Sequence, residues 1–295
     1  CVQGFAKCKP FTLFIFLSRD LKNNSDIKNT EILLEINEQE IQVLQHQYTH
    51  LPDGLQYKPA VHDYANDLHI FGKASLYQYI NRTTAEQAGR LLSEWLLAPA
   101  ANEVIIARQE AVKELNQKPE WRQQLQATGT EKRITIETER KISVWLKEKN
   151  KFYGTFWKVV SILYPVTTLS FLFLFIIEVI PTSVFTFLFI LFLVLSSAVS
   201  KMIMPAYNQL SKITGEVETL SDSILHIEKE KFSSGLLQQL QQSFQHDNIK
   251  ASGDIRQLKS ILDRFDYRLN IVVFVPLNAF LFLYLQQVLL LEKWK

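Results

Sequence analysis

The feature of this sequence that most limits its fold is an almost unbroken apolar stretch from Val159 to Val199, in which Glu178 is the only charged residue. A helix needs about 20 apolar residues to cross the roughly 30 Å hydrocarbon core of a bilayer, so the stretch is long enough to cross twice. Pro181 suits the first turn of a second helix, and it lacks the amide hydrogen that a continuing first helix would need. The stretch therefore predicts two membrane-spanning helices joined by a turn at residues 178–183.

The charges around this stretch predict its orientation. The turn contains no lysine or arginine, whereas lysines flank both arms: Lys147, Lys149, Lys151, Lys158 and Lys201. Positively charged flanks stay in the cytoplasm, so both ends of the hairpin are expected there. The alternative is a buried helical hairpin of a large soluble protein. Phe, Leu and Ile occupy every face of both arms and leave no polar side for water, which favours the membrane.

Composition outside the hairpin is that of an ordinary charged protein. The 295 residues allow one or two domains, and the net charge of +2 gives no global argument for a nucleic acid or anionic lipid partner, although local basic faces remain open. Cys1 and Cys8 are the only cysteines. They form neither a disulfide framework nor a zinc-binding spacing, which fits a reducing cytosolic compartment.

Both ends of the sequence indicate a fragment. The chain begins with Cys and ends at Trp294-Lys295 directly after an apolar run. Near the start, the apolar run from Phe11 to Leu17 is shorter than a span. We interpret residues 1–22 as a truncated N-terminal membrane anchor, or else as a mis-joined end.

A third apolar run, Ile271 to Leu291, is long enough to span but contains Pro276, Asn278, Gln286 and Gln287. Hydropathy leaves open whether it is a core helix or a further span. One more crossing would place the end of the chain outside the cytoplasm. We therefore predict a helix buried in protein or lying against the membrane surface, with Asn278 and Gln286 hydrogen-bonded inside the core.

Apolar periodicity and cap signals predict that the rest is mostly helical. The predicted helices cover residues 31–41, 75–80, 84–97, 102–117, 133–149 and 210–244. The helix at 133–149 is expected to lead straight into the first arm. The segment 210–244 is expected to be one long amphipathic helix leading away from the second arm.

A series of motifs between Asp67 and Leu115 resembles the start of the core, or lever, domain of the MutS family. The series reads Asp67-Leu68-His69-Ile70-Phe71-Gly72, Asn81-Arg82-Thr83, Gly89-Arg90-Leu91-Leu92, Trp95-Leu96, Pro99, Arg108-Gln109 and Ala111-Val112. The segment 252–295 resembles the second half of the same domain. The resemblance covers roughly residues 37–149 and 211–295.

The sequence differs from typical members of the family in two ways, and these differences indicate which branch of the family it resembles. Where typical members carry an inserted clamp that grips DNA, this chain carries the apolar hairpin, and no mismatch-reading domain is recognisable. This arrangement resembles the membrane-bound MutS-like branch of bacteria, with His69 in place of that branch's second aspartate. The family's ATPase motor would use ATP and Mg²⁺, but no Gly-x-x-x-x-Gly-Lys-Ser/Thr loop occurs in this sequence. The resemblance therefore implies a fragment that lacks the C-terminal ATPase domain.

The predicted fold is mainly α: a helical MutS-type core domain interrupted by a two-helix transmembrane hairpin. We divide it into an anchor at 1–22, the first part of the core at 23–150, the hairpin at 151–203, and the second part of the core with its lever helices at 204–295. The resemblance implies a multi-pass protein of the bacterial inner (cytoplasmic) membrane with cytoplasmic soluble parts.

No nucleophile, base and orienting group occur at a usable spacing, so we assign no catalytic, cofactor-binding or metal-binding residue. The residues of the family motif are assigned structural roles: Asp67, Phe71, Gly72, Asn81, Arg82, Thr83, Gly89, Trp95, Pro99, Arg108 and Gln109.

Particular roles follow from the residue types in these motifs. Thr83 or Thr84 is expected to cap the following helix, and Arg82 to pair with a nearby acid. Gly89 is expected at a close helix contact. Trp95 and Trp121 are expected as core anchors. His62 and His69 are expected as polar surface or cap residues.

Three functions compete at this stage. The first is the core of a membrane-anchored MutS-like ATPase, which couples motion of an ATPase domain to the membrane and is itself no enzyme. The second is a mismatch-repair core that binds DNA in an ATP-dependent way, although the residues present do not support DNA contact. The third is a membrane scaffold without nucleotide chemistry. The expected partners are the bilayer, the ATPase domain and, by resemblance, a second copy in a homodimer.

Overall fold

The computed structural model describes residues 10–152, 154–246, 249–266 and 277–295. The start of the predicted anchor, residues 1–9, and the part of the third apolar run at 271–276 lie outside the described residues. The chain divides into two compact units. Unit 1 comprises the described residues up to Ile134 together with Lys229–Ser243, and unit 2 comprises Thr135–Glu228 and the described residues from Phe244 to Lys295.

Unit 1 is built from short and long helices around a small aromatic core. Its helices are α1 (Pro10–Leu44), a 3₁₀ turn (Leu55–Tyr57), α2 (Leu76–Ile80), α3 (Glu86–Leu97), α4 (Asn102–Asn116), α5 (Pro119–Glu131) and α10 (Gly235–Gln242). The predictions at 75–80, 84–97 and 102–117 are confirmed by α2, α3 and α4.

The first helix is much longer than the segment predicted at 31–41. Because α1 runs from Pro10 to Leu44 without a break, the predicted domain boundary at residue 22 falls inside one helix. It packs on α5, a helix that was not predicted from the sequence. Helix α5 begins at Pro119, a residue suited to a first helical turn. An ion pair between Lys28 and Glu131, at 2.9 Å, connects the two helices.

Unit 2 contains the apolar hairpin and the end of the chain. Its elements are α6 (Ile136–Lys147), α7 (Thr155–Ile176), α8 (Thr182–Leu210), a 3₁₀ turn (Ser211–Ile213), α9 (Thr214–Lys229), β1 (Gln245–His246), β2 (Ile249–Lys250), α11 (Ala251–Asp266) and α12 (Leu283–Trp294). The two short strands pair antiparallel. Leu262 and Leu285, both fully buried, lie in the apolar core that α11 and α12 share with the base of α8.

Two predicted continuous helices are interrupted. The prediction that 133–149 leads straight into the first arm is wrong, because α6 ends at Lys147 and a non-helical stretch precedes α7. The carboxylate of Glu292 accepts hydrogen bonds from the amides of Lys151, at 2.8 Å, and Phe152, at 2.9 Å, and so holds this stretch outside a helix.

The second wrong prediction is the single helix at 210–244. The chain instead forms the 3₁₀ turn, α9 and α10, with a break after Lys229. In that break the amide of Ser233 donates to the carboxylate of Glu114 at 2.9 Å, and the amide of Ser234 donates to it at 2.7 Å. Amides that bind a side chain are not available to continue a helix.

Candidate functional site

The Asn81-Arg82-Thr83 motif forms a polar turn between α2 and α3. The Asn81 side-chain oxygen accepts hydrogen bonds from the Thr83 amide, at 2.9 Å, and from its hydroxyl, at 2.7 Å. Arg82 forms a two-pronged ion pair with Glu40 of α1, which confirms the expected acidic partner. The motif therefore fastens the turn to α1.

The capping role expected of Thr83 or Thr84 is wrong. Ala85 holds the N-cap position of α3 and offers no side-chain cap. The Thr83 hydroxyl is already bonded within the turn, and Thr84 packs directly against Gly129 of α5. A Cβ atom at Gly129 would lie 2.1 Å from the Thr84 hydroxyl oxygen, so glycine is needed for this approach.

Gly89 lies at a close contact, as expected, although its neighbours are hydroxyl groups. A Cβ atom added there would lie 3.0 Å from the Tyr77 hydroxyl and 3.2 Å from that of Thr83. The Tyr77 hydroxyl donates to the Gly89 carbonyl at 3.2 Å. Burial raises the pKa of Tyr77 to about 12, so the hydroxyl stays a neutral donor at any physiological pH.

Phe71 and Gly72 shape the loop that precedes α2. Phe71 is buried, with its ring centroid 5.6 Å from that of Tyr77. Gly72 has a φ of 106°, a conformation that residues with a Cβ rarely adopt, and its amide donates to the Asp53 carbonyl at 2.9 Å. Ring packing at Phe71 and the backbone conformation of Gly72 therefore shape this loop.

Gln78, a buried residue that no sequence motif indicated, holds the same loop. Its amide nitrogen donates to the carbonyls of Thr49, at 3.0 Å, and Leu51, while its oxygen accepts from the Ala74 amide at 2.7 Å. A glutamine in a five-residue helix carries no sequence signal that separates it from a surface glutamine.

The remaining motif residues lie on the surface. Trp95 is 48% exposed, so its expected role as a core anchor is wrong. The helix α3 buries Gly89 and Ser93 instead, while the Arg108 guanidinium lies 3.8 Å from the centroid of the Trp95 ring in a cation–π contact. The other surface members of the motif are Asp67, Pro99 and Gln109.

A charged network in unit 1 was also missed. The Lys118 ammonium group lies 2.6 Å from the Glu230 carboxylate and 3.4 Å from that of Glu114. Burial acts to raise the pKa of Glu114, but the hydrogen bonds that it accepts from Ser234 and Ser233 outweigh this and lower the pKa to about 2. Trp121 lies close by, half-buried and edge-on to the ring of Phe232 with 5.4 Å between centroids.

His62 lies at the end of α3 and His69 lies on the surface, as expected of polar surface or cap residues. One ring nitrogen of His62 lies 2.9 Å from the Leu97 carbonyl, and one of His69 lies 2.8 Å from the Lys73 carbonyl. Within the described ranges, no group of three or more His, Cys, Asp or Glu side chains is placed to hold a metal ion.

The apolar hairpin has the predicted form. Helix α7 ends at Ile176 and α8 begins at Thr182, where the Pro181 carbonyl accepts from the amides of Val184 and Phe185 at 3.0 and 3.1 Å. Both arms, of 22 residues each, are long and apolar enough to cross a membrane, with mean hydropathies of 2.2 and 2.3 over their most apolar 18 residues. Only 6% of the most apolar window of each arm is buried.

The described part of the third apolar run, residues 277–291, is bent and packed in protein. Residues 277–281 are helical, Phe282 has a φ of 52°, and α12 follows. The Asn278 side chain donates to the Ser200 hydroxyl at 3.3 Å and accepts from the Tyr284 amide at 3.2 Å. Gln286 donates to the Leu281 carbonyl at 2.9 Å, so the predicted hydrogen bonding of Asn278 and Gln286 is confirmed.

Two hydroxyl groups of α7 bind carbonyls of the short helical segment 277–281. The Tyr164 hydroxyl donates to the carbonyl of Ala279 at 3.0 Å, and the Thr168 hydroxyl donates to that of Phe280. The third run therefore lies against the side of the apolar hairpin.

A family model described as MutS domain III matches residues 64–270, which is more than half of the 295-residue chain. The chain belongs to the MutS family. No curated protein and no solved structure matches it.

The domain III match places the apolar hairpin inside a non-catalytic core domain. In this MutS-family chain the motif residues from Asp67 to Gln109 all lie within the matched segment, and so do α7 and α8. The hairpin thus interrupts domain III itself.

Proposed function

We propose that this chain is the core of a membrane-anchored MutS-type ATPase, in which α7 and α8 cross the bilayer and transmit nucleotide-driven motion between an ATPase domain and the membrane. The observation that carries the proposal is that two exposed, apolar helices interrupt domain III. The proposed location is the bacterial inner membrane, with the soluble parts in the cytoplasm.

The exposure of the hairpin favours a lipid environment. Side chains such as Ile162 and Phe187 are each 67% exposed. Fully burying one such side chain is worth about 1.5–3 kcal/mol, and soluble monomers rarely expose apolar patches larger than a few hundred Å². A bilayer removes this surface from water and leaves the helical backbone fully hydrogen-bonded.

The way the arms join unit 2 suits a mechanical role. Helix α8 continues for seven residues beyond Ile203, the end of its apolar part, as far as Leu210, and both residues are buried in the core of unit 2. The Glu292 carboxylate holds the chain that enters α7. A displacement of the apolar core of unit 2 would therefore move the hairpin with it.

Family membership favours a second candidate, an ATP-dependent DNA-binding core of the mismatch-repair type. The three motif arginines do not support it, because Arg82 is paired with Glu40, Arg90 is paired with Glu94, and Arg108 lies over Trp95. DNA contact needs cationic side chains that are free to face phosphates. The third candidate is a membrane scaffold without nucleotide chemistry. In the first candidate, the membrane-anchored ATPase, we propose that two copies form a homodimer.

The topology is tested by cysteine labelling in intact cells. With Cys1 and Cys8 replaced by Ser, a Thr182→Cys variant should react with a membrane-impermeant thiol reagent, because the turn lies outside the cytoplasm. A Ser243→Cys variant, in unit 1, should react only after lysis. Labelling of Thr182→Cys only after lysis would contradict the membrane proposal.

The competing functions are separated with purified protein in detergent. We expect the chain to leave ATP intact, since it contains no phosphate-binding loop, and to bind matched and mismatched duplexes alike. A clear preference for a mismatched duplex would favour the repair candidate instead.

A further inference from the structure

A cavity of about 440 Å³ lies at the base of the apolar hairpin, entirely within unit 2. Its charged wall comes from the stretch between α6 and α7 and includes Lys149 and Lys151. Its apolar wall includes Phe152, Met202 of α8 and Leu291 of α12. The cavity therefore combines cationic and apolar groups at one end of the hairpin.

The two lysines are available to a ligand. Lys149 and Lys151 are exposed, and neither ammonium group has a hydrogen-bond or ion-pair partner among the described residues. Two acids, Glu148 and Glu292, also line the cavity, and the carboxylate of Glu292 accepts from the amides of Lys151 and Phe152. The side chains that line the cavity thus include three lysines, counting Lys295, against two glutamates, which leaves a net positive charge.

The apolar wall has a buried part and an exposed part. Phe152 and Leu291 are buried and form the floor, whereas Met202 is 60% exposed on the surface of α8. A volume of 440 Å³ holds a headgroup and the first part of an acyl chain, but not a whole phospholipid. The remainder of the chain would lie along Met202, beside the apolar arm.

The charges at the two ends of the hairpin favour a lipid with a negatively charged headgroup. The flanking lysines lie at this end of the arms, whereas Glu178 is the only charged residue of the turn at the other end. Basic pockets on the cytoplasmic side between membrane helices suit anionic lipid headgroups. An ion without an acyl chain would make no use of the apolar wall.

From these observations we propose that the cavity binds an anionic phospholipid, with its phosphate on Lys149 and Lys151 and an acyl chain passing Met202. The proposal rests on the membrane insertion proposed above. It makes the hairpin base a lipid-selective site, in addition to an anchor.

The test measures lipid binding to the whole chain purified in detergent, by native mass spectrometry with added phosphatidylglycerol or phosphatidylcholine. We expect the anionic lipid to bind more tightly than the zwitterionic one. The double variant K149Q/K151Q should lose about 30-fold in affinity for phosphatidylglycerol, and its weak binding of phosphatidylcholine should not change.

A matched control is K212Q/K250Q, which removes two exposed lysines outside the cavity and should leave the preference intact. Helical content by circular dichroism should be the same in both double variants. Equal binding of the two lipids, or an equal loss in the control, would overturn the proposal. Displacement of bound lipid by millimolar inorganic phosphate would also overturn it, because the site would then be one for free anions.

The assay is independent of the topology experiment. If Thr182→Cys is labelled from outside but the two lipids bind alike, the lipid site fails and the membrane proposal stands. If labelling occurs only after lysis, the membrane proposal fails whatever the lipid measurement gives.

Discussion

The hairpin arms and α12 are all apolar helices, yet they face different surroundings. In the arms, Phe156 and Ile176 are each 68% exposed, whereas in α12 Leu285 is fully buried and Leu291 is 2% exposed. The α12 segment is broken at Phe282 and is hydrogen-bonded to polar groups, while each arm is an unbroken helix. Apolar composition shows that a helix avoids water, and only its neighbours show whether lipid or protein replaces the water.

The largest expected effect is on stability and tests whether α12 is packed in protein. Replacing Leu285 by Ala leaves a cavity in the core of unit 2 and should lower the free energy of unfolding by about 4 kcal/mol. The matched control is Leu290→Ala on the same helix, where the side chain is 41% exposed and the loss should stay below about 1 kcal/mol. Thermal unfolding in detergent measures both, and equal losses would mean that α12 is not packed in protein.

The second prediction tests whether lipid surrounds the arms of the hairpin. Phe187→Lys places a charge on α8 where the side chain is 67% exposed, and should cost about 3 kcal/mol of membrane insertion. In the control, Val112→Lys, a side chain that is 65% exposed on α4 is changed with no effect on insertion. Membrane fractionation of both variants checks this. Unchanged insertion of Phe187→Lys would place α8 in water or protein.

A third prediction tests the polar contacts of the bent segment. Asn278→Ala leaves the buried Tyr284 amide without its acceptor, which should cost about 2 kcal/mol of unfolding free energy. Asn116→Ala, at the exposed end of α4, should change stability by less than about 0.5 kcal/mol. If the two variants unfold alike, the bend before α12 does not depend on Asn278.

The smallest effect is expected in unit 1, where charge and not apolar contact holds the break before α10. The pKa of Glu114 is lowered from 4.5 to about 2, so its carboxylate stabilises the fold above pH 4.5 and loses this contribution as the pH falls toward 2. Glu114→Gln should cost about 1 kcal/mol at neutral pH, because the hydrogen bonds to Ser233 and Ser234 then lack a charged acceptor.

The same variant should also lose part of the acid sensitivity between pH 4.5 and 2, as measured by unfolding at a series of pH values. The control is Glu110→Gln, one turn earlier on α4 and exposed, which should leave the pH dependence as it is. An unchanged pH dependence in Glu114→Gln would contradict the assigned role of this carboxylate.

Local patterns predicted most helices and the hairpin, whereas the interruptions could not be predicted from them. The stretch before α7 is held by Glu292, which is 140 residues from Phe152 in the sequence, and the break before α10 is held by Glu114, which is 119 residues from Ser233. A carboxylate that caps amides at such a separation leaves no local signal. Trp95 was misplaced for a related reason, since its size suggested burial but α3 turns its small residues inward.

The unbroken helix α8 restricts how the length of this protein can change. Each residue of an α-helix advances the chain by about 1.5 Å and rotates it by about 100°. Deleting one residue between Ile203 and Leu210 would therefore turn the whole apolar face of α8 by about 100° relative to the base that anchors it. The non-helical stretch before α7 absorbs a change of one residue without such a rotation. Insertions and deletions of single residues should thus be tolerated in the stretch before α7, but not between the apolar part of α8 and its buried base.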